Sequence, residues 1–258
     1  MSRHDGASAY YNHSAFLSRC SSWIFWINIP ICLFSLCFQN VAIISVIQIV
    51  LPILFFLLSF LNDHFFWYPA EQKRRKLWLS DGYNCFFCSE TTDGYYNNEI
   101  QGGFLRLATN AFESSFFTER IAKRMFIFST IKWLVAILAF VVICVSHVNY
   151  KTIVLITQII FSGTILANYA KHHIFYWRVR NVYNIFFMQF ITEGIMRKEQ
   201  IPPLLDNLIE YECLKSFYQI RLSQKLFHKM NPTLSREWAE IAKKIRIAPS
   251  IGKTVPKC

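Results

Sequence analysis

The sequence contains no aspartate or glutamate between Phe126 and Ala170. Two apolar segments, 127–148 and 152–170, fill this stretch and are joined by a turn of three residues. Each segment is long enough, at roughly 1.5 Å per residue, to cross a hydrocarbon core of about 30 Å. The absence of acidic groups over this length excludes an ordinary solvated pair of helices and predicts a transmembrane hairpin.

Charged residues of both signs are missing from a second apolar stretch, in which segments 22–38 and 41–61 flank an uncharged turn. Of the 27 Lys and Arg residues, two precede this stretch, eight lie between Leu61 and Ile127, and fifteen follow Ala170, so that only Lys132 and Lys151 fall within the second hairpin. Because basic residues favour the cytoplasmic side of a membrane, both termini and the middle segment are expected to face the cytoplasm. The predicted fold is an all-α membrane protein with four transmembrane helices in two hairpins and a helical cytoplasmic domain.

Motifs for catalysis and cofactor binding are missing as well. Cys85 and Cys88 form a CxxC without a second CxxC or an HxxxH partner, and none of the eight cysteines falls in a predicted outer turn. The GKT at 252–254 lacks the first glycine of a phosphate-binding loop. His172 and His173 are adjacent and would point to different faces of a helix. The chain is therefore expected not to be an enzyme and to hold no cofactor or metal.

The apolar segments divide the chain into five parts. These are a cytoplasmic N-terminal tail and helix start (1–21), the first hairpin (22–61), a cytoplasmic middle segment (62–126), the second hairpin (127–170) and a cytoplasmic helical C-terminal region (171–258). The polar residues 1–14 are predicted to form a tail. In the C-terminal region, Pro202 and Pro203 are expected to break the chain before helices at about 203–230 and 234–245.

The region from Phe104 to Ser146 contains no helix breaker and is expected to form one helix that enters the membrane near Phe126. Phe112 and Phe116 flank a stripe of small residues on this helix, which would let another helix approach closely. The stripe consists of Ala108, Ala111, Ser115, Thr118 and Ala122. A shift at the cytoplasmic end of such a helix would act directly on the third span, as a two-state switch requires.

Polar residues recur at helical spacing inside two predicted spans. Because polar groups that face lipid are costly, these residues are hypothesised to line an aqueous path in a homo-oligomer. Hydrogen bonding between helices, worth roughly 0.6 to 2 kcal/mol per pair, is the alternative. The pore-lining residues of this hypothesis are Ser45, Gln48 and Ser59 in the second span and Thr157, Thr164 and Asn168 in the fourth.

A cluster of aromatic, amide and basic residues lies in the cytoplasmic middle segment, where YYNNEI at 95–100 precedes several Lys and Arg. Such groups can stack on a base, hydrogen-bond it and attract an anion, so a nucleotide is the first choice of ligand. An acidic protein patch, lipid headgroups and an ordinary surface helix are the alternatives. The residues of this ligand-binding hypothesis are Tyr95, Tyr96, Asn97, Asn98, Arg106, Arg120, Lys123 and Arg124.

The two hairpins around a cytoplasmic segment, with YYNNEI followed by NAFESSFFTERIAKRM at 110–125, resemble small four-helix proteins described as pore-forming effectors of bacterial conflict systems. The chain resembles in particular the SLATT-like and S-type four-helix families of CBASS anti-phage operons. The resemblance covers mainly residues 61–170. It implies a membrane effector that oligomerises and permeabilises the inner membrane when a cytoplasmic partner or nucleotide signal engages it.

The expected function is therefore that of a multi-pass inner-membrane effector in anti-phage defence, with both termini in the cytoplasm. Its expected partners are the lipid bilayer, further copies of the chain, and a cyclic oligonucleotide or a cytoplasmic protein, without direct nucleic-acid binding. The main alternative is a non-enzymatic membrane sensor or scaffold that recruits a cytoplasmic partner. A lipid-modifying enzyme is a third and more distant reading.

Overall fold

The computed structural model describes residues 8–37, 42–87, 96, 100–145, 165–193 and 201–245. Every regular element within these ranges is helical, which confirms the all-α prediction for this part of the chain. The elements are α1 (Ser8–Cys37), α2 (Ala42–Leu61), a π-helical segment (Asn62–Trp67), α3 (Tyr68–Tyr83), α4 (Phe104–Val145), α5 (Ile165–Glu193), α6 (Ile201–Tyr218) and α7 (Gln224–Lys244). The single helix predicted from Phe104 is confirmed as far as Val145.

The chain divides into two compact units. Among the described residues, the core unit contains 74–87, 96, 100–130, 169–193 and 201–245. The hairpin unit contains 8–37, 42–73, 131–145 and 165–168. Helices α3, α4 and α5 each contribute residues to both units.

The core unit is organised around the buried side of α4. The small-residue stripe predicted on this helix is buried at all five positions, and Phe112 and Phe116 beside it have no exposed surface. The Phe112 ring stacks on Phe190 of α5 and meets the edge of Trp238 of α7, with both centroid distances 5.1 Å. Because these side chains interlock, α4 forms the centre of a single apolar core with α5, α6 and α7.

Helices α5 and α6 pack side by side in the core unit. The Asn207 amide donates a hydrogen bond to the Val182 carbonyl at 3.1 Å, and the Phe175 and Tyr218 rings lie 5.8 Å apart. Early residues of α5 thus meet late residues of α6, so the two helices are antiparallel. Pro202 lies in the first turn of α6, where its missing N–H breaks no helical hydrogen bond.

A tight corner joins the end of α3 to the segment that precedes α4. Asn84 adopts a left-handed conformation with φ of 55°, and the Cys85 N–H donates to the Ser80 carbonyl at 3.1 Å, which closes the helix in a Schellman motif. At Gly82 a Cβ atom would lie only 2.5 Å from the Leu107 side chain. Glycine at this position therefore allows α3 to lie close to the start of α4.

The hairpin unit joins α1 to α2 through polar side chains. Ser21 and Ser59 share a hydrogen bond of 2.9 Å between their Oγ atoms, and Ser14 donates to the Asn62 side chain at 2.6 Å. Large apolar side chains of α2 are exposed along a wide face. The helical run Val46–Tyr83 is the one helix among the described residues that is long and apolar enough to cross a membrane. The prediction of four spans stays a prediction.

The predicted N-terminal tail is wrong from Ser8 onward, because α1 begins at that residue. The Tyr11 hydroxyl donates to Glu71 at 2.5 Å, and the Tyr11 ring meets the edge of Trp67 with centroids 5.6 Å apart. These partners, distant in the sequence, stabilise a helical turn whose polar composition had indicated a tail.

The predicted helix boundaries after residue 203 are also wrong. The break falls at 219–223, where Gln219 has φ of 49° and the Ser223 side chain accepts a hydrogen bond from the Leu226 N–H as the N-cap of α7. Pro232, near the predicted break, lies inside α7. A proline inside a helix costs about 3 kcal/mol, and burying a large side chain such as Trp238 nearby offsets a cost of that size.

Candidate functional site

The ligand-binding hypothesis named eight residues, of which Tyr95, Asn97 and Asn98 lie outside the described residues. Tyr96 is half-buried and packs against the apolar core. The remaining four residues are basic and all lie on α4. The structure therefore places the four basic residues of this hypothesis along one helix of the core unit, and Tyr96 in the segment that precedes it.

Arg106 has an internal partner. Its Nη2 donates to one oxygen of Asp81 at 2.7 Å, and the Asn110 amide donates to the other oxygen at 2.6 Å. Asp81 lies in the last turn of α3, so its carboxylate joins α3 to α4 twice. Arg106 thereby has a structural role, and its role in ligand binding stays a prediction.

The other three basic residues differ in their surroundings. Lys123 and Arg124 are exposed. Arg120 is partly covered, and its guanidinium lies 5.4 Å from the centre of the Phe116 ring. Its nitrogens approach Glu119 at 3.4 Å and Glu237 of α7 at 3.8 Å. Arg120 therefore lies between two carboxylates from two helices.

A group of ionisable side chains, here named the junction cluster, surrounds Arg120 where α4, α5 and α7 meet. Glu119 is its most buried member, with 4% of its side chain exposed, and its Oε2 accepts no hydrogen bond within the described part of the chain. The cluster consists of Glu119, Arg120 and Lys123 on α4, Arg180 and Tyr183 on α5, and Glu237 on α7.

Burial in the junction cluster raises the pKa of two of its groups. Burial raises the pKa of Glu119, an effect that Arg120, Lys123 and Arg180 oppose and that Glu237 reinforces. Burial also raises the pKa of Tyr183. Because Glu119 is covered and incompletely hydrogen-bonded, its charge depends on how closely the neighbouring cations approach.

Two members of the junction cluster, Arg120 and Lys123, were named from the sequence. The members that lie outside α4 were missed, and these are Arg180, Tyr183 and Glu237. Glu119 and Lys123 have the i, i+4 spacing of a helical ion pair, which was the one local signal. Tyr183 and Glu237 come from helices that follow much later in the chain. No periodicity within one segment indicates which of their faces meets α4.

The six residues of the pore hypothesis are only partly described. Ser59 bonds Ser21 of α1, which is the hydrogen bonding between helices that was weighed as the alternative. Gln48 is half-buried on α2. Ser45 and Asn168 lie on α2 and α5, but their side chains are outside the described residues, as are Thr157 and Thr164 altogether.

Neither metal-binding groups in the described ranges nor similarity to known proteins adds a further assignment. No group of three or more His, Cys, Asp or Glu side chains able to hold a metal occurs in the ranges that the structure describes. Cys88, the second cysteine of the CxxC, lies outside those ranges. Comparison of the chain with protein-family models, curated proteins and solved structures finds no match.

Proposed function

We propose that the chain is a multi-pass membrane protein whose core unit lies in the cytoplasm and controls the permeability of the membrane. One observation carries this proposal: α4 is a single helix with two different environments. Its first part, around Phe112, is buried in the core unit, whereas its last part, from Ile127, exposes a series of apolar side chains. A change of packing around Phe112 would therefore act on the same helix that enters the membrane.

The exposed apolar side chains support the membrane location. Trp23 and Trp26 of α1, Phe56 of α2 and Val135 of α4 are all exposed. Apolar faces of this extent would be unstable in water and are stable in a hydrocarbon core. Four spans in two hairpins, an inner membrane and cytoplasmic termini are the topology that this proposal adopts, because all basic residues except Lys132 and Lys151 lie outside both apolar stretches.

The proposed trigger is an anion, with a cyclic oligonucleotide as first choice and an acidic protein surface as second. Lys123 and Arg124 are exposed about one helical turn from Arg120, which is shared between Glu119 and Glu237. An anion at this position would compete with the two carboxylates for Arg120. That exchange would alter the contact of α4 with α7 and so shift α4. The resemblance to the four-helix families implies an anti-phage effector that responds to a signal in this way.

A liposome assay tests the proposal. Purified protein in oligomeric form should release ions on addition of a cyclic oligonucleotide, and the paired variant Lys123→Ala with Arg124→Ala should lose both the release and the thermal stabilisation by the nucleotide. The matched control is Lys243→Ala with Lys244→Ala, two exposed basic residues of α7. Thr164→Leu with Asn168→Leu should abolish release without affecting nucleotide binding. Absence of release under all conditions would contradict the proposal.

Reporter fusions test the topology independently. Fusions at Gly94 and at Cys258 should both report a cytoplasmic location, because the flanking segments carry most of the basic residues. An outside signal at either position would overturn the four-span arrangement.

The second candidate function is that of a non-enzymatic sensor or scaffold. The observation that favours it is the pairing of Ser21 with Ser59, because this polar pair is satisfied inside one chain and is not available to line a pore. A sensor would bind its trigger and recruit a cytoplasmic protein without leakage. Nucleotide binding that depends on Lys123 and Arg124, in a protein that releases no ions, would identify this function.

A further inference from the structure

A groove that none of the predicted sites includes lies between α5 and α6. Its volume is about 670 Å³. One stripe of α5 forms its first wall, and Glu210 of α6 lies on the other. The lining residues are His173, Ile174, Trp177, Arg178, Asn181 and Glu210. The hydrogen bond from Asn207 to the Val182 carbonyl, one helical turn from Glu210 and next to Asn181, holds the two walls together.

The groove presents a cation and an anion to the same space. Arg178 Nη1 lies 3.8 Å from Glu210 Oε1, and both side chains are about half exposed, at 58% and 49%. At this separation the two groups are loosely paired, so each can accept another partner. A ligand with one negative and one positive group would therefore satisfy both residues.

Apolar and aromatic side chains complete the groove. Trp177 and Ile174 are exposed, and the Trp177 indole N–H donates to His173 Nε2 at 3.2 Å. Tryptophan side chains with one polar and one apolar edge are typical of the boundary between hydrocarbon and headgroups. The ligand should accordingly be amphipathic.

The position of the groove along the chain agrees with an amphipathic ligand. His173 and Trp177 follow the predicted end of the fourth span at Ala170 by about 5 and 10 Å of helix. The headgroup region on each side of a hydrocarbon core is roughly 5 to 8 Å thick. The inner end of the groove therefore falls at headgroup level, an inference that rests on the membrane location proposed above.

We propose that this groove binds a phospholipid headgroup that carries both a phosphate and a primary ammonium. Arg178 binds the phosphate with its long side chain, which tilts toward the N-terminal, membrane-side end of α5. Glu210 accepts hydrogen bonds from the ammonium, and Ile174 contacts the glycerol end of the headgroup. A purely anionic headgroup fits less well, because it binds Arg178 but provides no cation for the Glu210 carboxylate. A quaternary ammonium has no N–H to donate to Glu210 and also fits less well.

Native mass spectrometry of the full chain in detergent tests this site with phosphatidylethanolamine, phosphatidylglycerol and phosphatidylcholine. We expect the wild type to retain phosphatidylethanolamine about fivefold better than the other two, which corresponds to roughly 1 kcal/mol per charged contact at a membrane surface. Glu210→Gln should remove this preference and leave phosphatidylglycerol binding unchanged or stronger. Arg178→Gln should weaken retention of all three lipids.

Matched controls and a competing ligand make the result decisive. Asp206→Asn on α6 and Arg236→Gln on α7 change exposed charges outside the groove and should have no effect. Equal retention of the three lipids, insensitivity to Glu210→Gln, or binding of inorganic phosphate as tightly as the lipid would overturn the proposal. Ion release without lipid preference would contradict the lipid site but not the permeability function. Lipid preference without ion release would contradict the permeability function but not the lipid site.

Discussion

Phe112 of the core unit and Phe56 of the hairpin unit are both phenylalanines in α-helices, yet the exposed fractions of the two residues are 0% and 64%. The difference recurs throughout the two units. Large apolar side chains of α4 around Phe112 are covered by α5, α6 and α7, whereas those of α2 around Phe56 remain exposed along a wide face. In the core unit the apolar side chains are removed from water by other helices of the protein. In the hairpin unit the exposed ones would need a second apolar phase, such as lipid, to be removed from water.

Each unit contains a pair of polar side chains from two different helices that hydrogen-bond each other. Thr118 and Tyr211 share a buried hydrogen bond of 2.9 Å in the core unit, and Ser21 and Ser59 share one of the same length in the hairpin unit. A polar group without a partner is costly in a protein core and in lipid. The two units therefore differ in how many apolar side chains are exposed, and not in whether these polar pairs are hydrogen-bonded. The exposure of apolar side chains is the feature that suits a region to the membrane.

The largest expected effect separates the two phenylalanines. Phe112→Ala should lower the free energy of unfolding of the core unit by about 3 to 5 kcal/mol, because it removes a ring that is fully packed. Phe56→Ala should change it by less than about 0.5 kcal/mol in detergent. Urea unfolding followed by tryptophan fluorescence measures both. Similar losses for the two variants would remove the distinction between the units.

A charge introduced into each unit gives the next largest effect. Val135→Lys should oppose membrane insertion by roughly 2.5 to 3.5 kcal/mol if this part of α4 crosses the hydrocarbon core. Leu205→Lys, at an exposed position of α6, should leave insertion unchanged. The fraction of protein recovered in membranes after alkaline extraction reports insertion. Full recovery of the Val135→Lys variant would place that residue outside the lipid.

Double-mutant cycles compare the two hydrogen bonds. Thr118→Val with Tyr211→Phe should give a coupling energy of about 0.5 to 1.5 kcal/mol, the usual net value of a buried hydrogen bond. Ser21→Ala with Ser59→Ala should give about 0.6 kcal/mol, the average found between membrane helices. Thermal unfolding of the four variants and the two pairs provides the energies. Absence of coupling between Ser21 and Ser59 would contradict the interhelical hydrogen bond and leave Ser59 available to line a pore.

The smallest expected effect is a pH dependence confined to the core unit. Because the pKa of Glu119 is raised in the folded state, the folded protein binds the proton more tightly than the unfolded protein, and stability falls as pH rises above 4.5. Arg120, Lys123 and Arg180 offset part of the effect of burial.

The measurement compares unfolding between about pH 4 and pH 7. The stability of Glu119→Gln relative to the wild type should increase over this range, because glutamine removes the cost of deprotonation. Thr118→Val, a neighbour without an ionisable group, should show a constant difference from the wild type. A constant difference for Glu119→Gln as well would contradict the raised pKa.

Local features of the fold were predictable because they depend on neighbouring residues. The uninterrupted run after Phe104 forms one helix as far as Val145, and its small residues are buried as their spacing indicated. Pro202 and Pro203 mark the start of α6, since proline suits a first turn. The helical start at Ser8 and the passage of α7 through Pro232 were not predictable, because partners elsewhere in the chain outweigh the local preference.

The sequence by itself determined that this protein is helical and that two stretches of it are too apolar and too poor in charge for an ordinary aqueous surface, because composition and periodicity are properties of adjacent residues. Only the tertiary structure decided that Asp81 holds Arg106 and that Glu119 and Glu237 share Arg120. It also decided that Glu210 faces Arg178 across a groove. These pairings depend on which faces of distant helices meet, and that choice is made by the packing of the whole core.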